Sequence, residues 1–389
     1  MLQRRRVIAA VTVLAALVAL SLRLASRASA DQLPSRVSDK DFWAMVLDFS
    51  EPSGYFRSDN FLSNELAFQH VIPELTQKLA PGGVYLGVGP EQNFTYLAAL
   101  KPKMAFIVDI RRGNLHEHLL YKAFIETSSD RAEFLSKLFA RPKPEGLTAS
   151  ASADQLLSAY RESAPSDALF ARNLQAARDH LVKDHGFALL PEDLAGLEYV
   201  YKAFYQGGPG LNYTFSTFGA GPPGAGQFGG AAFGGGFFPT YADLMTATDT
   251  AGQQRSYLAT EENFRIVSEL ERNNAIVPIV GDFGGPRAIR NVAAYLTEHG
   301  ARVSAFYTSN VEMYLFQSDS WKKFYGNVAT LPIDASSTFI RSVSNRGARV
   351  QNASPGFRSS TRLSSIADLL TAFRAGKVEG YYDVIALSH

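Results

Sequence analysis

Apolar residues gather in four continuous runs, at 83–89, 104–110, 275–283 and 301–310. Each is followed by a stretch whose apolar positions recur every three to four residues. Runs of this kind read as strands buried on both faces, and the stretches between them as helices. The helices are expected at 92–100, 115–139, 286–300 and 311–325, with further ones near Phe42-Trp43, at 61–79 and at 260–274. Two weaker strands, at 338–343 and 382–387, complete the set. Strand and helix alternating in this way define an α/β fold with a doubly wound, mostly parallel sheet.

The alternation is interrupted. Residues 141–205 carry helical periodicity only and read as a helical insertion. Residues 206–240 are dominated by glycine, alanine and phenylalanine, and no charge falls between Lys202 and Asp243. This is a Gly/Phe-rich loop: a flexible surface segment, an active-site lid or a partner segment. The chain therefore divides into an N-terminal leader at 1–30, a connecting segment at 31–60 and a first half of the sheet domain at 61–140. The insertion and the loop follow, and then a second half at 241–389.

The leader changes the reading of charge and location. Arg4, Arg5 and Arg6 precede an uncharged apolar run at 7–22, and Ala28-Ser29-Ala30 offers a cleavage site. That is the pattern of a secretory signal peptide. The apolar run is shorter than the ~20 residues of a spanning helix. Export to the periplasm or envelope is expected, by a cleaved leader rather than a retained membrane anchor. The formal net charge of +1 hides this basic end. Removing residues 1–30 takes away five Arg and no acid, and leaves 33 basic against 37 acidic residues. A net-acidic mature chain argues against a nucleic-acid surface. The absence of cysteine excludes disulfides, thiolate catalysis and cysteine-ligated zinc.

Candidate chemistry lies at the strand ends. Gly87 and Gly89 let backbone pass close to a ligand, and the helix start behind them offers free N–H groups. Asp109 stands 20 residues after Gly89 at the end of the second run, where an acid can accept hydrogen bonds from ribose hydroxyls. Gln92 occupies the place of the third glycine of a dinucleotide fingerprint, which disfavours a nicotinamide dinucleotide. A nucleoside-type small molecule is the expected ligand. Arg111 and Arg112 could bracket it or bind an acidic substrate, or stand solvated at a helix start. Glu261 and Glu262 open a helix, where the dipole alone accounts for them, although either could serve as a general base. His116 and His118 project roughly 200° apart on a helix and cannot share an ion. The remaining histidines, His70, His180, His185, His299 and His389, form no constellation along the chain, so no metal site is expected.

The order of these strand-end residues resembles the class I S-adenosylmethionine-dependent methyltransferases, which are Rossmann-like. The resemblance covers about residues 60–140 and 260–390. It implies that Gly87, Gly89, Glu91, Asp109, Asp282 and Phe283 hold S-adenosylmethionine, and that Asn310 and Glu312 in "TSNVEMYL" orient a methyl acceptor. More narrowly, "GVGPEQNFTYL", "FIVDIRRGNLHEHLLYKA" and "VGDFGGPRAIRNV" are similar to a bacterial family of this fold that carries a methyltransferase-like label. Two positions depart from the superfamily pattern. Tyr85 stands where an acid usually precedes the first glycine, and Glu91 replaces the next glycine. Glu91 could contact the cofactor amine, or only complement the helix dipole. S-adenosylmethionine is a cytosolic metabolite, whereas the leader directs export. The alternative is therefore an exported, non-catalytic binding or interaction protein of the envelope that retains the fold.

Overall fold

A computed structural model describes residues 33–56, 58–213, 238–345 and 357–389. The leader at 1–30 and most of the Gly/Phe-rich loop lie outside the described residues. After helix α1 (Asp39–Phe49), a 3-10 turn (Phe68–Val71) leads into α2 (Ile72–Lys78). Then come β1 (Val84–Gly87), α3 (Gln92–Leu100), β2 (Met104–Asp109), α4 (Arg112–Glu126) and α5 (Arg131–Phe139). The insertion supplies α6 (Ala153–Glu162), α7 (Asp167–Asp179) with a terminal π turn (His180–Asp184), and α8 (Pro191–Gly207). Beyond the loop lie α9 (Tyr241–Thr246), α10 (Glu261–Arg272), β3 (Ile276–Val280), α11 (Ala288–Glu298) and β4 (Val303–Ser309). The chain ends with α12 (Val311–Gln317), α13 (Trp321–Val328), β5 (Thr338–Ser344), β6 (Ser359–Ser365), α14 (Ile366–Arg374) and α15 (Tyr381–Ala386).

The six strands form one sheet in the order β3-β2-β1-β4-β5-β6. All neighbours are parallel except β5 and β6, which are antiparallel with Ile340 opposite Leu363. β1, β2 and β3 are buried along their whole length, as unbroken apolar runs require. Helices contact one another within two sets: α2, α3, α4, α5, α8 and α10 in one, and α1, α11, α12 and α13 in the other. Parallel crossovers are right-handed, so the reversal of strand order between β1 and β4 sends the two sets to opposite faces. The arrangement is compatible with a Rossmann-like fold. It leaves a crevice at the carboxyl ends of β1 and β4, where such sheets take their ligands.

Several expectations change. The sixth strand is Ser359–Ser365, and the segment expected as a closing strand at 382–387 is helix α15. There the Asp383 carboxylate accepts the N–H groups of Glu379 and Gly380 and starts a helical turn. The expected helix at 115–139 is two helices, α5 being restarted by Asp130 as N-cap. The stretch at 311–325 likewise divides into α12 and α13. Residues 61–67 are not α-helical, and that irregular segment carries a residue of the cleft. Thr260 caps α10, its hydroxyl accepting the Asn263 N–H. Both ends of the Gly/Phe-rich loop meet, with Asn212 bridged to Thr240 and the Tyr241 N–H on the Leu211 carbonyl. No helix among the described residues is long and apolar enough to cross a membrane.

Candidate functional site

A cleft of about 550 Å³ opens at the carboxyl ends of β1, β2, β3 and β4. Gly89, Asp109, Asp282, Phe283 and Asn310 all line it, so the fold brings together residues from four strand ends. Gly87, Glu91 and Glu312 lie outside its lining. Aromatic side chains border the opening. Phe56 and Tyr314 meet edge to face at 5.3 Å, and Tyr55 and Tyr213 stand nearby in the lining. Phe283 is buried and stacks on Phe324 at 5.3 Å.

The glycine turn is braced from within. The Asn93 amide donates to the carbonyls of Val88 at 3.0 Å, Gly89 at 3.2 Å and Pro90 at 2.7 Å, and the Tyr85 hydroxyl donates to its oxygen at 2.8 Å. A Cβ at Gly87 would fall 2.1 Å from that oxygen. Gly87 thus makes room for the chain's own Asn93, and Tyr85 is part of the same brace. Gly89 has φ +79, a conformation that favours glycine. Its carbonyl also receives His118 Nε2 at 2.9 Å. Gly87→Ala should displace Asn93 and cost about 1–3 kcal/mol, measured by denaturant titration. Pairing it with Asn93→Ala should recover part of that loss. If the single variant is as stable as wild type, the brace is not what requires glycine.

Glu65 and Asp109 line the cleft beside Asp282, each with its own partners. Asp109, 5% exposed, is held by Arg111 in a two-point pair, Nε to Oδ1 at 3.1 Å and Nη2 to Oδ2 at 3.0 Å. The Arg111 N–H adds a bond to Oδ1 at 2.9 Å. Glu65 was not singled out in the sequence, yet it lines the cleft at 3% exposure. Its carboxylate accepts the Tyr307 hydroxyl at 2.7 Å and the Ser309 hydroxyl. Burial pushes its pKa up, opposed by the hydroxyls of Ser309, Tyr307 and Ser342. Ser309 has φ +51, rare for a residue with a side chain and a form of backbone strain that collects at functional sites. The one sequence signal for Glu65 is a lone acid inside the apolar run "FLSNELAFQHVI".

The remaining candidates differ in what already holds them. Asp282 Oδ1 accepts the Gly284 N–H at 2.8 Å within the lining. Glu51 accepts the N–H groups of Arg287 at 2.7 Å and Ala288 at 3.0 Å, so the start of α11 already has its anion. Arg112 pairs with Asp193 through Nε at 2.7 Å and Nη2 at 2.9 Å, and His116 Nε2 lies 2.9 Å from the same carboxylate. His116 and His118 therefore do diverge, one to α8 and one to the glycine turn. Glu261 is bound by Arg131, and exposed Glu262 lies 3.7 Å from Lys101. Glu312 is locked in a buried ion pair with Arg341. The absence of a histidine constellation does not hold in space, because His180 and His185 converge on Glu126.

Fold and site together define an α/β protein with a strand-end cleft of small-molecule size. Residues 60–189 and 236–372 match a domain of unknown function, DUF7790, and these segments make up more than half of the chain. The chain belongs to that family. A comparison with curated proteins finds no match.

Proposed function

We propose that the cleft binds a nucleoside-type small molecule, with S-adenosylmethionine as the ligand that the sequence resemblance implies and methyl transfer as the reaction. The observation that carries this reading is the convergence of Gly89, Asp109, Asp282 and Asn310 on one cleft at the strand-order reversal. Asp109 and Asp282 contact the nucleoside, and Phe283 and the aromatic border pack against its apolar parts. Glu65, poised by burial and two hydroxyl donors, is the general base for the acceptor. Asn310 orients that acceptor.

Calorimetry with S-adenosylmethionine and with its demethylated product tests the binding, with dissociation constants expected on the order of micromolar. Asp282→Ala should abolish the heat without stranding a buried charge. Glu65→Gln should bind as well as wild type and lose turnover. Absence of heat and of thermal shift with both compounds would sink the reading.

A second reading, an exported binding protein without catalysis, is favoured by the Asp109–Arg111 pair, which satisfies the carboxylate before any ligand arrives. It expects binding in the same cleft without methyl transfer to any acceptor. Fusing the first 35 residues to a reporter active only after export tests the location.

A further inference from the structure

Glu126 ends α4, His180 opens the π turn after α7, and His185 follows that turn. Glu126 Oε2 lies 2.8 Å from His180 Nε2 and 2.7 Å from His185 Nε2. The second nitrogen of each ring also faces a carboxylate. His180 Nδ1 lies 2.8 Å from Asp184 Oδ2, and His185 Nδ1 lies 2.7 Å from Asp39 Oδ1. A neutral imidazole has one N–H and one lone pair. If Nδ1–H is donated outward to each aspartate, both Nε2 lone pairs point at the same carboxylate oxygen. That arrangement is repulsive unless something positive stands between them. Two extra protons or one divalent cation would supply the same charge.

We propose that Glu126, His180 and His185 bind a divalent transition-metal cation, zinc being the best match. Two imidazoles and one carboxylate form a common zinc donor set, and a carboxylate on the far nitrogen of each ligating histidine is the usual orienting partner. The three donor atoms lie within 4.8 Å of one another. Opening the two contacts by about 0.6 Å would reach the spacing of tetrahedral ligands at zinc bond lengths. Lys122 Nζ holds the other oxygen, Oε1, at 2.6 Å and leaves Oε2 for the cation. The site is shielded but reachable, with side chains 6% exposed for Glu126, 19% for His180 and 10% for His185. Phe187 stacks on the His185 ring at 4.9 Å. Three protein ligands leave a fourth position for water. The cleft lies at the opposite end of α4, about 20 Å away at 1.5 Å per residue. The cation therefore fastens α1 and the insertion to α4 rather than entering the chemistry of the cleft.

The test loads purified protein with Zn²⁺, dialyses it against metal-free buffer and measures the metal retained. One zinc per chain is expected, with near-complete loss in His180→Gln and His185→Gln. Co²⁺ should give the visible d–d bands of a four-coordinate site. A wild-type protein that retains no Zn²⁺ and shows no such bands overturns the proposal, as does full retention by the double glutamine variant. Should the variants fail to fold, wild type alone decides: chelation should lower Tm and Zn²⁺ should restore it, whereas an unchanged Tm with no retained zinc refutes the site.

Discussion

Arg341→Ala is expected to destabilise the protein by about 3–5 kcal/mol, the cost of leaving a buried charge without its partner. Arg341 is 0% exposed and Glu312 1%. The guanidinium holds Glu312 through Nε and, at 3.2 Å, through Nη2. Glu312 also accepts Tyr325 at 2.8 Å and Thr308 at 3.2 Å. From its other side Arg341 reaches the hydroxyls of Ser364 and Ser388, so the network ties β4, α12 and α13 to β6 and the end of the chain. Glu312→Ala should cost a similar amount by stranding Arg341. The double variant Arg341→Met, Glu312→Leu should lose far less than the sum, because removing both charges also removes their desolvation. Urea titration of the three proteins measures this. If the double variant loses the sum of the singles, packing rather than the stranded charge accounts for the cost.

That network also explains which parts of the molecule could be read in the sequence. β1 to β4 announce themselves because burial on both faces demands continuous apolar residues. β6 reads "SSTRLSS", which has no such run. It is an antiparallel edge strand in which Ser364 accepts from Arg341 and Ser360 donates to Asn345, partners outside the strand that single-chain periodicity cannot see. Gly89, Asp109, Asp282 and Asn310 were legible as cleft residues because each sits at the end of a readable strand. Glu65 was not, since it comes from an irregular segment with helical-looking spacing. Glu312 looked functional for the same reason that Asn310 did, and only the depth of Arg341 distinguishes them. His180 and His185 were hidden in another way: their common partner, Glu126, lies 54 residues before His180.

Replacing Glu91 by glutamine should stabilise the protein at neutral pH and flatten its pH dependence. Glu91 follows Gly89-Pro90 and is 0% exposed, and neither carboxyl oxygen has a hydrogen-bond partner from another described residue. Burial pushes its pKa up to about 8, with only its own backbone N–H pulling the other way. Glu117 is equally buried and its carboxyl oxygens also lack a hydrogen-bond partner, and the neighbouring Glu91 carboxyl adds to the cost of ionising it. Glu91 ionises near 4.5 when unfolded. Between that pH and about 8 the native state holds a proton that the unfolded state has lost. Stability from this group is thus complete below pH 4.5 and falls as pH rises, by about 1.4 kcal/mol per unit, until the native carboxyl also ionises. By pH 7 the accumulated loss is roughly 3 kcal/mol. Glutamine keeps the shape and cannot ionise, but its amide still lacks partners, so a net gain of roughly 1–3 kcal/mol is expected at pH 7. At pH 5 the two proteins should be nearly equal. Urea midpoints from pH 5 to 8 measure the difference, and parallel curves would show that Glu91 ionises normally. A gain of this size would also locate an acid kept at a cost beside the turn whose carbonyl is held by His118, the kind of strain a fold keeps where a loop must respond to what binds next to it.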